Sequence, residues 1–297
     1  MRLDDERESS NVEDRRGGGG GFPGGGAVRV GGIGAVVLVI GALLLGVDPR
    51  VVLDMVNGGG GGVPQSEQRT APPTAQQQAA PGDQDAQRRF VSQVLASTED
   101  VWSAQFKQMG RNYNAPELVL FSGGTNSGCG LAQTAIGPFY CPEDQKVYLD
   151  LRFFQELSGR LGATGDFARA YVIAHEIGHH VQNQLGVLGK VSELRQRGDA
   201  QQDRALSVRT ELQADCFAGV WGNQANRTRH ILEPGDVESG LGAASAVGDD
   251  TLQRRSQGTV QPDTFTHGSS AQRVRWFRQG FQSGDIRQCD TFGSQAP

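Results

Sequence analysis

Thirty-three acidic against 28 basic side chains give this 297-residue chain a net charge of −5, and with no cluster of basic residues that balance argues against nucleic acid as the partner. The 43 glycines are spread unevenly, so the length available for a packed core is well short of the whole.

Residues 1–30 are charged and then glycine-rich ("RRGGGGGFPGGG") and read as a disordered tail, because such a composition buries too little apolar surface to offset chain entropy. Residues 31–47, "GGIGAVVLVIGALLLGV", are uncharged and apolar throughout, at the lower edge of the length that crosses a bilayer as a helix. Thirty mixed-charge residues precede this stretch and "LLLGVDPR" at its end offers no small-x-small cleavage pair, which favours a retained transmembrane anchor over a cleaved signal peptide. Arg15, Arg16 and Arg29 on one flank against Arg50 on the other place the N-terminus inside the cytoplasmic membrane and the folded domain outside it, periplasmic or extracellular. Residues 48–88, rich in Gly, Pro, Gln and Ala, read as a flexible linker. From 89 to 292 the pattern is globular, roughly 200 residues and enough for one domain, with 293–297 as a short tail.

Within the globular part, "RRFVSQVLASTEDVWSAQFKQMG" has helical periodicity, with Ser97 and Asp100 placed as a capping box that would start a second helix. "ELVLFS" and "KVYLDL" have the β-branched and aromatic bias of strands, joined by a Gly- and Cys-rich connection. Helical patterns follow in "RFFQELSGRLG", in the His-rich "YVIAHEIGHHVQ" with Asp166 as N-cap and Gly186 as stop, and around "RALSVRTELQADCFAGVWGNQ". Two more begin near Asp236 and in "SSAQRVRWFRQGF". The fold class is α+β, a small sheet before a mainly helical body. Cys129, Cys141, Cys216 and Cys289 all lie in the domain, an even count that suits disulfides in an oxidising compartment. Pairing Cys129 with Cys141 closes a short loop between strands and leaves Cys216 with Cys289; four buried free thiols are the alternative.

His175, Glu176 and His179 form an HExxH sequence. Positions four apart share one helix face, so both imidazoles reach a single Zn²⁺ while Glu176, one step round, points at its open coordination site. A third ligand is needed, and "TELQADC" offers Glu211, 32 residues after His179, with Asp215 one turn further on to hold a ligating histidine in its tautomer. A solvated helix face would also account for Glu211 and Asp215. They sit, however, beside the apolar "ADCFAGVW", where an unpaired carboxylate is costly. His180 lies about 100° round the helix from His179 and reads as a packing residue or one that supports a ligand, not a ligand itself, and His230 reads as a surface residue.

The stretches "SGCG", "GPFYCPEDQKVYLD", "GDFARAYVIAHEIGHHVQ", "ELQADCFAGVW" and "THGSSAQRVRWFRQGF" make residues 89–292 resemble the predicted neutral zinc metallopeptidase family of bacterial membrane-anchored proteins. The resemblance implies a zincin-like fold, with the HExxH helix packed under a small sheet and a second helix delivering a glutamate. It implies zinc on His175, His179 and Glu211 and catalysis by Glu176. The activity expected is zinc-dependent hydrolysis of peptide bonds in exported or envelope proteins, with a peptide or protein substrate and the lipid bilayer as partners. The developing oxyanion needs a further donor, and His267 and Arg273 in "FTHGSSAQR" are the candidates, ahead of Tyr140 and Tyr171. A loop histidine and a solvated helix charge are the bland readings of that pair. The alternative to an enzyme is a membrane-tethered, catalytically silent zinc-binding protein, against which the intact Glu176 speaks. A structural zinc site would take four protein ligands rather than three.

Overall fold

The computed structural model describes residues 1–4, 6–16, 81–133 and 137–293. The apolar stretch 31–47 and linker residues 48–80 lie outside the described residues; among those described, no helix is long and apolar enough to cross a membrane. The sheet has the order β1 (Val12–Asp14), β2 (Glu117–Phe121), β6 (Lys146–Asp150), β5 (Phe139–Cys141), in which β1, β2 and β6 are parallel and β5 runs antiparallel at the edge. A hairpin of β3 (Gly124–Ser127) and β4 (Gly130–Gln133) stands apart. Strand β2 is buried on both faces, which is why it reads as a continuous apolar run. Leu118 and Leu120 face the helical core, while Val119 and Phe121 pack with Phe139 and Tyr148 on the other side.

Two parts of the expected domain plan are corrected. Residues 1–16 are not a disordered tail: Leu3 is buried in the core and β1 adds to the edge of β2 with Val12 opposite Leu118. Composition misses this because the segment is held by backbone pairing and charged contacts with residues more than eighty positions away. The linker also ends early, since helix α1 (Pro81–Gln108) already includes its last residues. This helix is continuous through Ser97, whose hydroxyl accepts from Trp221 Nε1 (3.1 Å) and Arg229 Nη2 (2.8 Å) instead of starting a second helix.

The helical body comprises α2 (Arg152–Gly159), α3 (Asp166–Gln184), α4 (Val187–Arg195), α5 (Ala200–Arg229), α6 (Asp236–Ala246), α7 (Asp249–Gln257) and α8 (Ser270–Ser283). Asp166 is the first residue of α3, with Gly165 at the N-cap, and Gly186 ends the helix in the left-handed conformation (φ 79°) that glycine adopts without strain. The core gathers Phe167, Tyr171, Phe217, Trp221 and Phe277 between α3, α5 and α8, with Trp102 of α1 against Phe217. Both disulfides form as the spacing suggests, Cys129–Cys141 and Cys216–Cys289.

Candidate metal centre

Two helix crossings bring the site together. On α3, Gly178 lies between His175 and His179, and a Cβ there would sit 3.0 Å from the carbonyl oxygen of Ala214. The missing side chain lets α5 approach just where it carries Glu211 and Asp215. On the other flank of α5, a Cβ on Gly280 of α8 would lie 1.9 Å from Cys216 O, and one on Gly219 would lie 2.1 Å from Phe277 O. Backbones this close admit only glycine, and the contact draws Arg273 of α8 over Asp215. Cys216, next to Asp215, is bonded to Cys289, which fastens the C-terminal segment against the same part of α5.

His175, His179 and Glu211 present one ligand atom each within 4.8 Å of one another. His175 Nε2 is 3.1 Å and His179 Nε2 3.5 Å from the two oxygens of Glu211. Tetrahedral zinc with bonds of about 2.0–2.2 Å sets neighbouring ligand atoms about 3.4 Å apart, so the two distances to Glu211 suit this metal and the donor set suits it in kind. The ring nitrogens away from the centre are both held: His175 Nδ1 by Asp215 Oδ1 (2.9 Å) and His179 Nδ1 by Gln182 Oε1 (2.9 Å). Gln182 is itself fixed by donating to Thr210 O and Gln213 Oε1. A metal would therefore be met by Nε2 of each imidazole with the ring proton on Nδ1. For His175 burial lowers the pKa, but Asp215 and Glu211 outweigh it and raise it to about 10, so an incoming ion displaces the proton that Nε2 shares with Glu211. Burial lowers the pKa of His179 to about 4, which keeps that ring neutral. Burial also opposes ionisation of Glu211, but the neighbouring imidazoles outweigh it and hold the carboxylate ionised, its pKa well below the usual value.

Asp215 has no exposed surface. Besides His175 it accepts from the Tyr171 hydroxyl and from Arg273, through Nε (2.8 Å) and Nη2 (2.9 Å). The remaining arm of Arg273, Nη1, donates to Val247 O. This corrects the reading of Arg273 as oxyanion donor. Its guanidinium is committed to Asp215, and its role is to balance that buried charge. Tyr171 is bound in the same network, and the hydroxyl of Tyr140 is taken up by Asn183 and His180. His180 packs between Tyr113 and Tyr140 with Nε2 on Asn114 O, and His230 is exposed at the end of α5.

His267 lies differently. Its Nδ1 meets Asp249 Oδ1 at 2.9 Å, while Asp249 Oδ2 accepts the backbone N–H groups of Thr266, His267 and Gly268. Burial opposes ionisation of Asp249, but the charge and ring hydrogen bond of His267, helped by the backbone N–H groups of His267 and Thr266, outweigh it and lower its pKa. Desolvation likewise opposes the charge on His267, and Asp249 outweighs it and raises that pKa. Nε2 is left for the cavity that His267 lines together with His175, Glu176, His179 and Glu211. The cavity holds about 120 Å³, and its remaining walls are mainly apolar: Phe139, Phe153, Val172, Leu188, Val191 and Val247. Glu176 is buried here, and desolvation is the chief cause that lifts its pKa to about 7.

A family model described as "Putative neutral zinc metallopeptidase" matches residues 1–292. The chain belongs to this family. An Escherichia coli K12 protein named uncharacterized protein YpfJ is 48% identical over 295 residues, 99% of either chain. A Mycobacterium tuberculosis H37Rv protein named uncharacterized protein Rv2575 is 41% identical over 270 residues, 85% of either chain. No solved structure matches. The cofactor of the metallopeptidase is Zn²⁺, as the family and the His175, His179 and Glu211 donor set require. Sequence reasoning missed Asp249, which in "VGDDTL" looks like any acidic residue opening a helix and has no signal tying it to His267, eighteen positions on. It also missed Gln182, although its place three residues after His179 on the same helix face was a usable sign.

Proposed function

We propose that the protein is a zinc metalloendopeptidase that hydrolyses peptide bonds in exported or envelope proteins and peptides. The observation carrying this reading is Glu176: a buried carboxyl sharing one apolar-walled cavity with the three side chains that would hold the metal and with a histidine. A carboxylate placed beside the open position of the metal is what proton transfer at the reacting centre needs. When bound, zinc polarises the scissile carbonyl and acidifies the attacking water. Glu176 takes the proton of that water on its carboxylate and returns it to the leaving nitrogen. His267, fixed at Nδ1 by Asp249, directs Nε2–H at the oxygen where negative charge develops. Asp215 keeps His175 in its ligating tautomer, and Arg273 holds Asp215 ionised within a water-poor core. The apolar walls favour substrates that place an aliphatic or aromatic side chain beside the cleaved bond.

Location in an oxidising compartment is supported by the two disulfides. The apolar stretch 31–47 is proposed as the part that associates with a lipid bilayer. The deciding experiment is cleavage of an unfolded protein and a peptide library by the zinc-loaded chain, before and after Glu176→Gln. Loss of activity by about 10² to 10⁴ with zinc retained is the expected result. No cleavage by the zinc-loaded wild type would transfer the chain to the class of silent zinc-binding proteins.

A further inference from the structure

The contacts of residues 1–16 constrain how the rest of the chain meets a membrane. The carboxylate of Glu99 on α1 is only 7% exposed and accepts from Arg7 Nη2 (2.8 Å), Ser9 Oγ (2.6 Å) and Asn11 Nδ2 (2.8 Å), all from the segment. Gln93, also buried, donates to Leu3 O at 2.8 Å, and Ser9 and Ser92 exchange two further hydrogen bonds. Leu118 N donates to Asn11 O and Arg15 N to Leu120 O, so the edge of β2 is covered by the segment on the side away from β6. Withdrawing residues 1–16 would cost Glu99 these three partners, open the core around Leu3 and bare the β2 edge. The segment is therefore a strand and strap of the domain, not a passing visitor.

From this we infer that residues 1–16 and the metallopeptidase domain lie on the same side of the membrane, and that the apolar stretch 31–47 does not carry the chain across it. Residues 16 and 81 belong to one folded body, so the chain between them crosses a bilayer an even number of times, zero included. Two crossings as helices need about 40 apolar residues, 20 for each pass. Between these points the chain offers one such run of 17. Zero crossings is the even number that this composition can satisfy. This replaces the single crossing with an internal N-terminus that the flanking arginines suggest. The inference is independent of whether the site is catalytic.

The test uses the full-length chain, in which the native cysteines are bonded in pairs. One added cysteine replaces an exposed residue of the strap, Ser10→Cys, and one replaces an exposed residue of the domain, Ser103→Cys, each in a separate variant. A membrane-impermeant maleimide is applied to intact and to lysed cells. Equal labelling of the two positions in intact cells is expected. Labelling of both only after lysis would keep the shared side and place it in the cytoplasm, overturning export instead. Labelling of one position alone in intact cells would overturn the inference, and Asp4→Cys, also exposed, repeats the measurement should Ser10→Cys fold poorly. In the purified wild-type chain the amides of Leu118 and Arg15 should exchange slowly with solvent deuterium, and exchange at the rate of an open chain would likewise overturn it.

Discussion

Asp215→Asn keeps the shape of a side chain with no exposed surface while removing the charge on which three partners converge. The amide cannot serve both neighbours. With its oxygen toward His175, its NH₂ meets the guanidinium of Arg273, donor against donor. Turned round, it donates to His175 Nδ1, moves that ring's proton to Nε2 and blocks the lone pair intended for zinc. Loss of a partner that orients a ligand costs about 10 to 100-fold in metal affinity, equivalent to about 1.4 to 2.7 kcal/mol. The buried Arg273 left without its counter-charge costs a further 3–5 kcal/mol or so of folding stability. Against a total of about 5–15 kcal/mol, the variant should fold when cold and melt far earlier than wild type. Competition with a chromogenic chelator reads the first effect, and urea unfolding of the apo chain reads the second. Adding Arg273→Met to Asp215→Asn should recover much of the stability but not the zinc affinity, because Met has no charge to strand and His175 still lacks its acceptor. Unchanged zinc affinity and stability in Asp215→Asn would refute both roles of Asp215, as the acceptor that orients His175 and as the counter-charge of Arg273.

His267→Gln should lower peptide hydrolysis by about 10²-fold or more, as loss of a single oxyanion donor does, with zinc content unchanged. The raised pKa of His267 means that its pairing with Asp249 contributes stability fully below the ordinary histidine value of about 6.5 and loses it as pH rises through the folded value. Thermal melts of wild type and variant should therefore converge as pH rises above about 6.5, and a gap that widens would contradict the sign. Gly280→Ala should destabilise by the upper part of about 1–3 kcal/mol or more, because its methyl group meets a carbonyl oxygen that cannot retreat without parting α5 from α8. Zinc binding should weaken with it, through Arg273 and Asp215. Replacing Cys216 and Cys289 by alanine opens a loop of 73 residues and should cost about 4 kcal/mol by chain entropy, measured by urea unfolding at fixed zinc.

The metal ligands were legible because their arrangement is local. His175 and His179 share a helix face by spacing alone, and Glu211 with Asp215 repeats that logic on a second helix whose apolar setting made ionised side chains expensive without a partner. The disulfides were legible for a related reason, since a short loop between strands left one remaining pair. What escaped depended on contacts that no window of sequence contains. Strand β1 pairs Val12 with Leu118 across more than a hundred residues, and its charged, glycine-flanked composition argues for a tail until Glu99 is seen waiting for Arg7, Ser9 and Asn11. Ser97 and Asp100 have the spacing of a cap, yet Trp221 and Arg229 take the serine hydroxyl and Arg7 and Arg229 take the aspartate, so the helix runs through. Arg273 and His267 were recognised as the polar residues near the end of the chain with chemistry to offer, but their roles turn on which carboxylate each one meets. Asp215 neutralises the arginine by two hydrogen bonds, and Asp249, held by three backbone amides, leaves the histidine one nitrogen free for the cavity. Two cations equally plausible on paper as donors are thus separated by their anions: the one whose guanidinium is already committed on all three arms supports the ligand, and the one held at a single atom is left to act on the substrate.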